Sequence, residues 1–282
     1  MTRVAETAYV DTQAQIAGDV EIGHNCYVGP KVSIGPGCVL HNNVTIVGRT
    51  TVGKNSQFFQ NAVIGTAPQD LKYKGGETEI LIGDGNVFRE NVTVHLGTEL
   101  GGAKTLIGSG SLFMAGVHIA HDCHIGDDVI IANNALIAGH VTLEQRVVIG
   151  GGAALHHFVT VGRNAMVGGL SRVVYDVPPF MIFEGNPGLV RGVNVTGLAR
   201  NGFSEAQIEA IKHAYKKLFR GGAVRPALDE LTQTNGDDPE VRYLIDFVRR
   251  SFQGRHGRYL ESLRVDTPED ISGLRATDEN DQ

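Results

Sequence analysis

No window of this 282-residue sequence approaches the eighteen or more consecutive apolar residues that a membrane-spanning helix needs. An integral membrane segment is therefore not expected. The segment after Met1 also lacks the apolar run of a secretion signal, so the expectation is a cytoplasmic protein. There is no basic excess either: 25 Lys and Arg against 31 Asp and Glu leave a net charge of −6. That removes the footprint of a general nucleic-acid binder but leaves room for a local pocket for a phosphorylated small molecule. Cysteine is scarce and odd in number, at three, which argues against a disulfide framework and for free, reduced thiols. What is present, 41% hydrophobic residues, is enough for a real core in one large domain or two smaller ones.

The apolar residues follow a period that no ordinary helix or strand has. From Ile107 through Phe113, Ile119, Ile125, Ile131 and Ile137 to Val173, one returns at every sixth position, and earlier beats from Ile16 to Ile64 and from Ile82 to Val94 keep the same six-residue spacing. Fixed-period self-similarity marks a solenoid, and a six-residue unit of the form Ile-Gly-x-x-Val-x predicts a parallel β-helix, three units to a coil. The fifth position of each unit carries small apolar residues, among them Val20, Val44, Ala135, Val147 and all three cysteines, Cys26, Cys38 and Cys123. Both positions must point inward, which makes the cysteines small buried hydrophobes.

The repeat halts after Ile64 and resumes at Ile82, and a second gap separates Val94 from Ile107. Insertions are thus expected near residues 66–81 and 96–106. The first, around Ala67 to Gly76, is read as a projecting loop that replaces one coil's worth of regular structure. Loops on a rigid frame are the usual carriers of binding groups. The β-helix is assigned to residues 1–190, ending near Asp176-Val-Pro-Pro179 and the turn Gly185-Asn-Pro-Gly188. Residues 191–264 are expected to form an α-helical domain, with a capping box at Ser204 and Gln207, a short helix near Ala227 to Leu231, and a cap and first position at Asp238 and Pro239. The acidic, aperiodic residues 265–282 are expected to be a disordered tail.

Six of the eleven histidines, His118, His121, His124, His140, His156 and His157, fall within forty residues of one another. With eighteen residues to a coil, His121 lies one level from Gly139 and Gly139 one level from His157, at about 4.8 Å per level; Asp122 falls against His140 in the same way. An imidazole, a neighbouring carboxylate and an unobstructed glycine N–H on one edge are what acyl transfer requires: a base for the attacking hydroxyl, a group to fix its tautomer, and a donor for the oxyanion. Solvated turn residues are the bland reading of any one of these histidines, and His24, His41, His213 and His256 are left in that class. A metal site is the rival use of the cluster. The ligand pattern of β-helical carbonic anhydrases includes two histidines five positions apart, however, and this chain has none.

The run His118-Ile-Ala-His-Asp-Cys123, with Ala132-Asn-Asn-Ala135, Ala138-Gly-His-Val141, Ile149-Gly-Gly151, Val167-Gly-Gly169, Asp176-Val-Pro-Pro179 and Gly192-Val-Asn194, resembles the acyl-acyl-carrier-protein:UDP-N-acetylglucosamine O-acyltransferases, which perform the first step of lipid A synthesis. The loop Gln69-Asp-Leu-Lys-Tyr73 and the helical segment from Gly202-Phe-Ser204 extend the resemblance to all but about the last twenty residues. It implies a left-handed parallel β-helix, although crossovers between parallel strands are right-handed in ~98% of cases. It also implies a homotrimer with active sites between subunits, acyl carrier protein and UDP-N-acetylglucosamine as substrates, and neither metal nor cofactor nor covalent enzyme intermediate.

Carried onto this chain, the resemblance makes His121 the general base, Asp122 the carboxylate that orients it and Gly139 the oxyanion donor. It places Asp70, Lys72 and His95 at the sugar or acyl chain, His118 and His140 around the sugar and diphosphate, and His156 near the nucleotide sugar. Asn194 and Arg200 fall on the nucleotide or phosphate side, and Gly169 where acyl length is limited. Three positions depart from the family's common pattern: Leu96 where Arg is frequent, His157 where Gln is common, and Asn201 in place of a second Arg after Arg200. His157 lies near the implied sugar site. Two other functions compete, an N-acyltransferase on a 3-amino UDP-sugar and a non-catalytic scaffold for carriers or sugar nucleotides. Lys212, Lys216, Lys217 and Arg220 offer either a carrier-protein contact or a solvated helix face.

Overall fold

The computed structural model describes residues 2–264. The expected disordered tail at 265–282 lies outside the described residues. Each hexad contributes a strand of about two residues followed by a turn, as in His118–Ile119, His124–Ile125 and Ile130–Ile131. Successive units fall on three sheets of eleven, nine and eight strands. Pairing is parallel at one-coil spacing, so that His118 lies beside Leu136 and Leu136 beside Ala154. The chain is a left-handed parallel β-helix. Turns recur with a residue in the left-handed region, held by Asn25, Asn43, Asn55, Asn61, Asn91, Asn134 and Asn164 at φ between 56° and 63°. Asn is among the side chains that tolerate this conformation best, which is why it punctuates the repeat.

Inside, the first and fifth positions form continuous columns. Phe58, Phe88 and Phe113 stack with ring centroids 4.8 and 4.7 Å apart, and all three are fully buried. The cysteines are buried and free; burial raises their pKa values, that of Cys123 to about 12.

The insertions correct one expectation. The loop after strand Val63–Thr66 does not replace a coil. Strand Glu79–Ile82, which follows it, pairs with Arg49–Val52 on one side and Lys104–Ile107 on the other, so every coil is complete and the extra residues are added at a corner. The second insertion, between Thr93–His95 and Lys104–Ile107, leaves from that same corner, between the nine-stranded and eight-stranded sheets. A ladder that loses no strand loses no hydrogen bonds, and loop length costs little once the ends are held.

The eleven-stranded sheet ends in a hairpin, Met181–Gly185 with Gly188–Val193, the one antiparallel strand pairing among the described residues. Five helices follow among the described residues: α1 Val195–Arg200, α2 Glu205–Arg220, α3 Val224–Asn235, α4 Pro239–Gln253 and α5 Tyr259–Ser262. The capping box of Ser204 and Gln207 is present, and Asp238 caps α4 with Pro239 in its first turn. Phe180 and Met181 join Ile211, Leu231, Leu244 and Val248 in a second apolar cluster. Buried Asp176 ties the helices to the final coil: its carboxylate accepts hydrogen bonds from the Thr160 and Tyr259 N–H groups and from the Ser251 hydroxyl.

Candidate active site

All five segments that carry the candidate chemistry project from one corner of the prism. Loop 67–78, loop 96–103, and the turns containing His121 and Asp122, Gly139 and His140, and His156 and His157 each connect a strand of the nine-stranded sheet to one of the eight-stranded sheet. The hexad period aligns the turns, and both insertions open beside them.

At the centre, His121 Nδ1 lies 2.8 Å from Asp122 Oδ2, with both residues buried. Asp122 is in the left-handed region at φ 59°, as is His140 at φ 61°. The Asp122 oxygens also accept hydrogen bonds from Thr98 N–H at 2.8 Å and from its hydroxyl at 2.6 Å. Such an acceptor holds Nδ1 protonated and leaves Nε2 with its lone pair. The His121 ring lies against Gly139, where a Cβ would meet Cε1 at 2.5 Å and Nε2 at 2.7 Å. Among the described residues nothing accepts a hydrogen bond from the Gly139 N–H. His121 and Gly139 thus line the same space.

That space is a cavity of about 260 Å³ lined by Gln69, His95, His118, His121, Gly139 and His157, among others. A larger hollow of about 630 Å³ lies on the outer face of the eight-stranded sheet along Leu81, Leu106 and Thr142. It is a shallow, mostly apolar surface to which His124 contributes, and it shares no lining residue with the cavity beside His121. His121, Asp122 and His140 form the one group among the described residues whose ligand atoms could converge on a metal ion. The Asp122 oxygens are already occupied by Thr98 and His121, which favours the acid–base use of the group.

The structure brings most of the predicted residues together. His95 and His118 meet edge to face at 4.8 Å, His121 and His140 at 5.1 Å, and the His157 ring lies 6.5 Å from that of His121. Asp70 lies near enough to act on the charge of both His140 and His157; Lys72 shares its loop, where the Lys72 N–H donates to Asp70 Oδ1. His156 does not line the cavity and points its Nδ1 at the His157 carbonyl oxygen.

Three predicted residues are elsewhere in this chain. Gly169 is on the corner between the eleven- and nine-stranded sheets. Asn194 caps α1 and donates to the Asn164 carbonyl oxygen, and Arg200 ends that helix, exposed. Of the departures, Leu96 packs in the core beside Gly48, and Asn201 donates to Asn164 Oδ1. On α2, Lys212 pairs with Glu209, Lys217 with Glu230, and Arg220 with the Tyr215 hydroxyl, as a solvated face would.

Burial depresses the histidine pKa values: His95 and His140 fall to about 4, and His118 and His157 are lowered as well, the neighbouring imidazoles adding to the effect. These four imidazoles therefore stay neutral where an unfolded histidine, at about 6.5, begins to take up protons. Stability from this source is fully present above that value and is lost as pH falls from about 6.5 towards 4. The midpoint of urea unfolding should fall across this window, and His95→Gln combined with His140→Gln should flatten the slope. An unchanged slope in the double variant would count against the burial argument.

Comparison with known sequences and structures places these observations. The family model described as UDP N-acetylglucosamine O-acyltransferase, domain 2, matches residues 176–256. The bacterial transferase hexapeptide model matches 104–139, and the hexapeptide repeat of succinyl-transferase 18–47. The acyl-[acyl-carrier-protein]–UDP-N-acetylglucosamine O-acyltransferase of Rhizobium johnstonii is 41% identical over 255 residues, 88% of this chain and 94% of that protein. The Agrobacterium fabrum protein of the same name is 41% identical over 87% of this chain and 92% of its own length. Among solved structures, the UDP-N-acetylglucosamine O-acyltransferase of Moraxella catarrhalis superimposes with a TM-score of 0.83 at 42% identity, covering 86% of this chain and 95% of that one. The Francisella novicida UDP-N-acetylglucosamine acyltransferase gives 0.84 at 31% identity over 99% and 100%.

Proposed function

Because this chain belongs to the acyl-acyl-carrier-protein:UDP-N-acetylglucosamine O-acyltransferase family, we propose that the corner cavity is where it moves an acyl chain from acyl carrier protein to the glucosamine 3-OH of UDP-N-acetylglucosamine, the opening step of lipid A synthesis. His121 Nε2 takes the proton of the 3-OH as its oxygen bonds to the thioester carbonyl carbon. Asp122 keeps Nδ1 protonated and stabilises the imidazolium that forms. The Gly139 N–H donates to the oxyanion. Collapse breaks the carbon–sulfur bond, and the imidazolium returns its proton to the departing carrier thiolate, so the products are a 3-O-acyl sugar nucleotide and free thiol. Charge and protons balance without a covalent enzyme intermediate.

The His121, Asp122, Thr98 and Gly139 geometry carries this reading. The remaining substrate contacts come from Asp70, Lys72, His95, His118, His140, His156 and His157. Gly169 lies on another corner and Asn194 and Arg200 at the two ends of α1, and a homotrimer that sets the corner of one subunit against the face of the next unites them. The compartment that fits is the cytoplasm; among the described residues no helix is long and apolar enough to cross a membrane.

The experiment is a mass-spectrometric transfer assay with UDP-N-acetylglucosamine and its 3-amino analogue against a panel of acyl- and 3-hydroxyacyl-carrier proteins. Ester product from a narrow range of donors is expected. A strong preference for the amine would replace the ester reading with amide synthesis, and binding without any product would leave a scaffold.

A further inference from the structure

Thr98 is the residue on which the catalytic corner converges, although nothing in its local sequence marks it. Its side chain is almost fully buried, at 4% exposure for the residue. The hydroxyl donates to Asp122 Oδ2 at 2.6 Å and accepts from the Gly101 N–H at 3.1 Å, while the Thr98 N–H donates to Asp122 Oδ1 at 2.8 Å. Each carboxylate oxygen is therefore held by a different donor of one residue, and the plane of the carboxylate is fixed. Its orientation decides where His121 Nδ1 finds its partner, and so where Nε2 points. The short 3-10 turn Glu99–Gly101 keeps Thr98 in place, and Gly101 passes so close that a Cβ there would meet Asp122 Cγ at 2.1 Å.

Glu99, the next residue, faces the other insertion. Its Oε1 accepts hydrogen bonds from the Gly76 N–H at 2.6 Å and the Lys74 N–H at 3.3 Å; the carboxyl is held below its usual range first by the backbone N–H of Glu99 itself and then by these two amide groups. Gly76 also lies close against it, with a Cβ meeting Glu99 Cγ at 2.4 Å. Loop 67–78, which carries Asp70 and Lys72, is thus fastened at its C-terminal end by the residue adjoining the one that grips Asp122.

We propose that Thr98 and Glu99 are positioning residues which together form a strap: Thr98 aligns the Asp122–His121 pair for proton transfer, and Glu99 holds the 67–78 loop closed over the sugar nucleotide. The proposal rests on the reading of His121 as the base. It assigns separate kinetic signatures to two adjacent residues, because one acts on the base and the other on the ordering of a binding loop.

Thr98→Val, which keeps shape but removes the hydroxyl, should lower kcat about ten- to a hundredfold, the worth of a hydrogen bond to a charged group. The KM for UDP-N-acetylglucosamine should change little. Thr98→Ser, which restores the donor, should recover most of the rate. Glu99→Ala should instead raise that KM by roughly three- to tenfold through the cost of ordering a freed loop, with kcat nearly unchanged. All variants are assayed as the full chain, with His121→Ala as reference. A serine variant as impaired as the valine variant would mean that Thr98 acts by packing alone, and the strap would be wrong. So it would be if His121→Ala is inactive and Thr98→Val is as fast as wild type. If His121→Ala itself retains turnover, the assignment of the base fails and takes the strap with it.

Discussion

His121→Ala is expected to lose roughly 10²- to 10⁴-fold in kcat, the range attributable to a positioned general base. UDP-N-acetylglucosamine should still bind, because the ring supplies only part of a cavity that His95, His118 and His157 also line. Removing an imidazole that touches Asp122 also leaves a buried carboxylate with its two Thr98 donors but without its third partner. A modest loss of thermal stability should accompany the kinetic effect. Calorimetric titration with the sugar nucleotide, next to single-turnover acyl transfer, separates the two. Binding intact and chemistry lost is the expected pair; binding intact with turnover at the wild-type rate would remove His121 from the mechanism.

Gly139→Ala tests the same chemistry from the other side. A methyl at this position would lie 2.5 Å from His121 Cε1 and 2.7 Å from Nε2, distances at which either the ring or the turn must move. Displacement misaligns the base and the Gly139 N–H together. The expected loss is about 10²- to 10³-fold, comparable with removal of one oxyanion donor. Residues that act as a unit do not add, so the double variant with His121→Ala should be little slower than His121→Ala alone. Additive losses would mean that Gly139 and His121 serve separate steps, and wild-type activity in Gly139→Ala would show that the close approach has no catalytic consequence.

The solenoid was legible because its signal is periodic: apolar residues at two phases of a six-residue unit leave only a β-helix, and the eighteen-residue coil then stacks His121 against Gly139 and Asp122 against His140 by arithmetic. Handedness was not legible, since the general preference for right-handed crossovers points the other way and only the family resemblance supplied it. Thr98 was missed for a different reason. It reaches Asp122 across an insertion that breaks the count of eighteen, so no fixed offset links the two, and a threonine before a glutamate reads as an ordinary turn. Loop 67–78 was misjudged because Ile64 and Ile82 stand 18 residues apart and keep the beat across it, as a replaced coil would; strand pairing on both sides shows that the loop is added to a coil and takes nothing from it. Leu96 and Asn201, two of the departures from the family's common pattern, are engaged with the core and with Asn164. Their contacts depend on neighbours far along the chain.

The two insertions share a corner, yet they are unequal in what they allow to change. The segment 67–78 begins and ends on paired strands, with Leu71 at its tip almost entirely exposed, so lengthening or rewriting that tip disturbs neither the ladder nor the carboxylate beside His121. The segment 96–103 has no such freedom, because Gly97, Thr98 and Gly101 are each wedged against backbone or against Asp122. Divergence in substrate among proteins built this way should therefore accumulate in the first insertion and be nearly silent in the second, which makes the outer loop the place to graft a new specificity while the proton-transfer apparatus is carried over intact.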